Sequence, residues 1–315
     1  MPSDSIRTLL TGLVDYAGLY PPASLDMAPC VENHARYLRG EHPWILGRLI
    51  CPCSRLEELS GAAAALMPGT YATSGYREMA RGEAWQVSAI IDGPLDECLD
   101  AIDAFNERHA SEDSGLATID AIEMRAEAPG RIDEAMERIP ETLYPFFEVP
   151  PVGEVRGFVA AVAGYQDQGP AAAKIRTGGV QPEAIPTIER VARFIHACAL
   201  AGVPFKATAG LHHPIRSEHA LTCEPDSPRA VMHGFLNVFL AAGFARGERL
   251  DLSEIVAILG ETDASRFTFT DDFVKWEGRI LETPALARSR RTFAMSYGSC
   301  SFEDPVNDLI GLGLL

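Results

Sequence analysis

No run of apolar residues in this chain approaches the ~20 that a membrane-spanning helix needs, so neither a transmembrane segment nor a membrane partner is expected. Basic charge is scarce as well: 27 Lys and Arg stand against 44 Asp and Glu, a formal net charge of -17. A phosphate backbone demands a basic footprint, which argues against nucleic acid as a partner. The seven cysteines (Cys30, Cys51, Cys53, Cys98, Cys198, Cys223 and Cys300) are odd in number and dispersed. Cys51-Pro52-Cys53 has C-x-C rather than C-x-x-C spacing, and no second pair follows at zinc-finger distance. Met1 to Val14 has no long apolar core of the signal-peptide kind; reduced thiols in a cytoplasmic protein are the expectation. There is no G-x-G-x-x-G or Walker pattern, and no low-complexity segment. No cofactor is expected.

What is present is a rhythm. At 315 residues and 47% hydrophobic, the chain can bury a large core. Short apolar runs alternate with stretches of helical period, with Gly and Pro between them. The runs are Leu13 to Ala17, Ile45 to Cys51, Gln86 to Ile91, Ala121 to Arg125, Pro145 to Val149, Ala172 to Thr177, Phe205 to Ala209 and, as an eighth, Arg266 to Thr270 (RFTFT). A loop is expected over His212 to Pro228, a helix over Ala230 to Ala245, and a tail of little periodicity from Thr292 to Leu315. Eight alternations at this length predict an α/β fold, a single (β/α)8 TIM barrel over residues 1–315, with extra helices and a C-terminal extension. A doubly wound open sheet is the competing arrangement. The apolar end of the tail, Leu309 to Leu315, suggests packing on the barrel or in a homo-oligomer.

The stretch Ala171 to Pro214 stands out, because AAAKIRTGG and VPFKATAGLHHP each carry a lysine inside an apolar strand. Side chains alternate along a strand, so Lys174 shares a face with Arg176, and Lys206 shares one with Thr208. Strand-end positions, where a barrel places its chemistry, also include Asp15, Cys51, Asp92, Glu123, Arg125, Glu148 and His212. Burying an unpaired charge is costly; Glu123 or Glu148 paired with Lys174, Arg176 or Lys206 would offset that. A lysine near a second cation and out of water is pushed toward the neutral amine, which attacks carbonyls to form a Schiff base. Tyr16 and Tyr20, with Pro21-Pro22, are read as a lid, and Thr177-Gly178-Gly179 as a backbone cradle for an anion.

KIRTG and FKATAGL resemble the sixth and seventh strands of the deoxyribose-phosphate aldolases, class I aldolases on a (β/α)8 barrel, with their K-x-x-T-G and V-K-A-x-G-G runs. VDYAGLYPP resembles that family's D-H-T-x-L-x-x-P segment, LICPC its V-C-V-x-P run and AIEMR its E-V-D-M-V run, in the same order along the chain. The resemblance implies that Lys174 is the Schiff-base lysine, Lys206 the lysine that keeps it deprotonated, Glu123 the proton-relay acid and Asp15 a residue positioning substrate or water. The departures are Arg176 in place of a small residue, His212-His213 where a second glycine is expected, and RFTFTDD where a G-x-S-S phosphate turn is expected. They point away from a sugar phosphate. The expected activity is an aldolase-like carbon–carbon lyase on a small anionic carbonyl substrate. Tyr16, Arg176, Thr208, Glu148, His212 and His213 are expected to bind that substrate, Arg176 as a bidentate clamp. Two alternatives remain. One is a metal-dependent barrel isomerase or lyase using Glu123, Glu148 and His212; the other is a non-catalytic barrel with a binding role.

Overall fold

A computed structural model describes residues 2–69, 83–166 and 169–315. Eight parallel strands close into a barrel. They are β1 (Val14–Tyr16), β2 (Leu46–Pro52), β3 (Trp85–Ile90), β4 (Ala117–Arg125), β5 (Tyr144–Glu148), β6 (Ala172–Arg176), β7 (Phe205–Thr208) and β8 (Ala294–Ser299). Each pairs with its sequence neighbour, and β8 pairs with β1. The fold is the expected α/β barrel. No helix among the described residues is long and apolar enough to cross a membrane.

The helices between strands pack their apolar stripes on the outside of this cylinder. Ile188–Ala201 illustrates why the chain folds this way. Thr187 Oγ1 accepts the Arg190 amide N–H at its start, and Gly202 ends it at φ +71°, a left-handed position that glycine adopts at low cost. Its buried residues, Val191, Ala192, Phe194, Ile195 and Cys198, recur at helical spacing and face the sheet. At the other end of the chain, the helix Asp4–Leu10 is capped by Ser3, whose hydroxyl accepts the Ile6 amide.

The eighth strand is a correction. Arg266 to Thr270 is not in the barrel: Phe267–Phe269 pairs with Phe273–Trp276, which pairs with Arg279–Glu282, in a three-stranded antiparallel sheet. The strand that closes the ring, AMSYGS, lies in the tail read as aperiodic. The helix Thr283–Thr292 delivers it, and buried Arg290 fastens it. Arg290 donates to the carbonyls of Leu9 (2.7 Å), Thr11 (3.1 Å), Ala294 and Met295. The tail then forms the helix Glu303–Gly311, whose Leu309 is fully buried while Ile310 and Leu312 stay exposed. The long β7–β8 connection also contains a two-stranded ribbon, Ser217–Ala220 with Arg229–Met232, where a loop and a helix start were expected. The helix itself begins at Phe235 and is buried through Ala245.

Candidate active site

Inside the barrel the residues sort by height. A small apolar layer of Ala121, Phe146 and Ala172, with Tyr144 and Met295 against it, fills one level. Beside it the strands turn charged side chains inward. The chain has only three lysines, Lys174, Lys206 and Lys275, and the first two stand side by side here as Cα partners on β6 and β7.

Their amines do not confront each other bare. Glu123, from β4, lies between them, with Oε1 2.7 Å from Lys206 Nζ and Oε2 2.8 Å from Lys174 Nζ. Lys206 also holds Asp15 Oδ2 at 2.5 Å, and Lys174 holds Glu148 Oε2 at 2.7 Å. Arg176 Nε completes the row, 3.2 Å from Glu148 Oε1. Signs alternate along this row, and its three cations and three carboxylates balance, which satisfies the condition for burying charge. Hydroxyls and a backbone amide complete the carboxylates. Ser88 donates to Glu123 Oε1 (2.8 Å), Ser296 to Asp15 Oδ2 (2.7 Å), and the Arg48 amide to Asp15 Oδ1 (2.8 Å). Gly47 makes room for this, since a Cβ there would meet Asp15 Oδ1 at 2.3 Å. One atom is held differently. Glu123 Oε2 is in ion-pair contact with Lys174 but has no aligned hydrogen-bond donor among the described residues.

The electrostatics follow from this packing. Burial alone would raise the Glu123 carboxyl, but Lys174 and Lys206 hold it far below the usual carboxylate range. Glu148 is lowered by Lys174 and Arg176, again against burial. Burial would lower Lys206, yet Asp15 and Glu123 raise it above its ordinary value. Lys206 is therefore a fixed ammonium that anchors two carboxylates.

A cavity of about 880 Å³ opens over one end of this row. Lys174, Glu123, Glu148, Arg176, Thr208 and His212 line it; Lys206 and Asp15 lie beneath, each about 1% exposed at the side chain. Lys174 is 7% exposed and Arg176 38%, so the row runs from a dry interior to an accessible guanidinium. Arg125 and Asp92 also reach the cavity, and Arg125 has no partner among the described residues. The loops after β6 and β7 form one wall. Gly178 and Gly210 meet backbone to backbone, so that a Cβ on Gly178 would lie 2.6 Å from Gly210 Cα. Thr177 ties the two loops by donating to the carbonyls of Thr208 (3.1 Å) and Ala209 (2.6 Å).

Three expected site residues fall elsewhere or act otherwise. Tyr16 follows Asp15 on β1 and so points outward, where it packs edge-on against Tyr37 and accepts from Asn33 Nδ2 at 3.3 Å. Of the expected lid, Tyr20, Pro21 and Pro22 do line the cavity. His213 turns away from the barrel mouth; its Nδ1 is 2.6 Å from Asp308 Oδ2 and its ring stacks on His219. Cys51 is fully buried, its thiol pushed up by that burial. Nor do Glu123, Glu148 and His212 gather as metal ligands. Lys174 occupies the space between the two glutamates, and among the described residues the group with metal-ligand proximity is Cys53, Asp92 and Cys98. His233 Nε2 donates to the Pro186 carbonyl at 2.8 Å.

Sequence reading missed Ser88 and Ser296, which complete the buried carboxylates, and it missed what surrounds His212. His212 Nε2 lies 3.8 Å from Cys300 Sγ, and Nδ1 lies 3.4 Å from Asp304 Oδ2. Assigning β8 to AMSYGS would have brought Cys300 to a strand end, which was the available signal.

No family model matches this chain, and neither do any curated proteins or solved structures.

Proposed function

We propose that this barrel performs lyase-type carbonyl chemistry through a Schiff base on Lys174, acting on a small anionic carbonyl compound. The observation that carries the reading is the shared carboxylate. Glu123 takes one oxygen to buried Lys206 and offers the other, lacking an aligned donor, to the lysine that lines the cavity. Lys206 fixes Glu123 as a carboxylate. Glu123 or Glu148 can then take the Lys174 proton as the amine attacks a carbonyl carbon. Loss of water gives an iminium; as Glu148 takes the proton of the substrate's β-hydroxyl, that carbon leaves as an aldehyde and the bonding pair of the broken carbon–carbon bond becomes the enamine. Protonation of that enamine and hydrolysis release the product and return the amine.

The resemblance to deoxyribose-phosphate aldolases supports the same role for Lys174. Relocating the eighth strand also softens one departure: β8 ends in the small residues Gly298, Ser299, Cys300 and Ser301, near where that family has G-x-S-S, with Cys300 in place of its first serine. Asp271 and Asp272 do not line the cavity. Arg176 and unpaired Arg125 supply the positive charge for a carboxylate or other anionic group.

The test is borohydride reduction in the presence of short aldehydes and 2-keto acids, read by peptide mass spectrometry. A reduced adduct on Lys174, lost in Lys174→Ala, is the expected result. Absence of an adduct on either barrel lysine with every compound tried would leave the row of charges as internal ion pairing and end the Schiff-base reading.

A further inference from the structure

We propose that Cys300, His212 and Asp304 form a second nucleophilic centre in the same cavity, in which the Cys300 thiol adds reversibly to an aldehyde carbonyl. Three separate elements bring the groups together. Cys300 follows the last residue of β8, His212 lies in the segment after β7, and Asp304 sits in the first turn of the helix Glu303–Gly311. The sulfur faces Nε2 at 3.8 Å and the carboxylate faces Nδ1 at 3.4 Å, so both ring nitrogens are committed. This is the order of roles that nucleophilic triads share: nucleophile, base, and a carboxylate that orients the base.

The other cysteines set Cys300 apart. Cys30, Cys51, Cys53, Cys98 and Cys198 are buried, and Cys223 is exposed but does not line the cavity. Cys300 is half-buried and lines the cavity together with His212 and Lys174. The imidazole is well placed to hold a proton. Burial would lower the His212 pKa, but Asp304 and Cys300 carry it up to about 9. Asp304 in turn is lowered by His212.

The chemistry balances without any further reagent. With the proton shared by sulfur and imidazole resting on Nε2, the thiolate lone pair bonds to the aldehyde carbon. The carbonyl π pair moves to oxygen, which takes the proton back from the imidazolium. The product is a hemithioacetal; nothing leaves, nothing is oxidised, and the reverse path restores both groups. The proposal does not depend on Lys174.

Two measurements on the full-length protein test it. The first is the rate of carbamidomethylation by iodoacetamide at neutral pH, resolved residue by residue. Cys300 is expected to react faster than the more exposed Cys223, and His212→Asn is expected to slow Cys300 roughly a hundredfold, the contribution of a positioned base, with Cys223 unchanged. The second uses glyoxylate, a small anionic aldehyde, labelled with carbon-13 at its aldehyde carbon. A thiol-bound resonance is expected with the wild type and with Lys174→Ala, and is expected to vanish in Cys300→Ala. The proposal is overturned if Cys300 reacts no faster than Cys223, if His212→Asn leaves its rate unchanged, or if the thiol-bound resonance is absent from wild type or survives in Cys300→Ala. Failure of Schiff-base trapping at Lys174 with these results intact would overturn the lysine reading alone.

Discussion

Lys174 and Lys206 are Cα partners across the β6–β7 pairing, yet their amines are separated by a single carboxylate that touches both. The resemblance to class I aldolases implies that the second lysine acts by repelling the first. The geometry gives it a different part. Lys206 is neutralised by Asp15 and Glu123, and what it controls is where Glu123 sits and that Glu123 stays ionised.

Removing the shared carboxylate tests that arrangement. In Glu123→Gln, Lys174 and Lys206 each lose one of two anionic partners inside a dry barrel. The expected cost is about 3–5 kcal/mol, the usual result of breaking a buried pair from one side. Urea unfolding should show the loss as a lower midpoint at an unchanged slope.

Acid should have the same target. Both Glu123 and Glu148 have folded-state pKa values below their unfolded ones. Their contribution is therefore complete above an unfolded carboxyl value of ~4.3 and is lost as pH falls from there toward the folded values. Urea midpoints should fall between about pH 5 and 3.5, with a shallower fall in Glu123→Gln; His34, pulled down to about 3 by burial, adds a fall that begins below its unfolded value of ~6.5 and is the same in both proteins.

The wall of the cavity makes a steric prediction. Gly178→Ala places a methyl 2.6 Å from Gly210 Cα, which is backbone and cannot swing aside. Overpacking of this kind costs about 1–3 kcal/mol. It should also weaken ligand binding, because the loops after β6 and β7 would be forced apart. Gly130→Ala, in a helix with open space around it, should be neutral or slightly stabilising. Differential scanning calorimetry of the two variants separates these outcomes.

At the other end of the barrel, Arg290→Met should be among the most destabilising substitutions of similar volume. It strips the donor from the carbonyls of Leu9, Thr11, Ala294 and Met295. With ~1–3 kcal/mol for each buried acceptor left bare, a loss of at least about 3 kcal/mol is expected in urea unfolding. Arg290→Lys should recover part of it.

The barrel was legible where a strand's composition announced itself. Seven strands are short apolar runs with Gly or Pro within a few residues of their ends, and each lies within a residue or a few of its expected place. The eighth was misplaced for a physical reason. RFTFT has the aromatic and β-branched alternation of a strand and forms one, but at the edge of a small antiparallel sheet. AMSYGS has small residues and no β-branched side chain. It is extended because β1 and β7 both need a partner, which is a tertiary cause that local propensity does not encode. The charged row was foreseeable because a buried lysine requires a carboxylate and few were within reach. Tyr16 is misplaced because the two-residue alternation that sets Lys174 beside Arg176 also turns it away from Asp15; His213 lies in a loop, where that alternation gives no direction. The Cys300–His212–Asp304 group followed the eighth strand out of view.

Ser296, on the closing strand, donates to Asp15, 281 residues earlier in the chain. Asp15 in turn holds Lys206. Contacts of such separation carry the greatest loop-closure entropy. Until the two ends of the chain meet, Lys206 has lost one anion and Asp15 lacks its hydroxyl, so the charged row stands incomplete in any partly folded barrel. The finished centre thus belongs to the closed cylinder alone, because the hydroxyl that completes Asp15 stands on the strand that closes it.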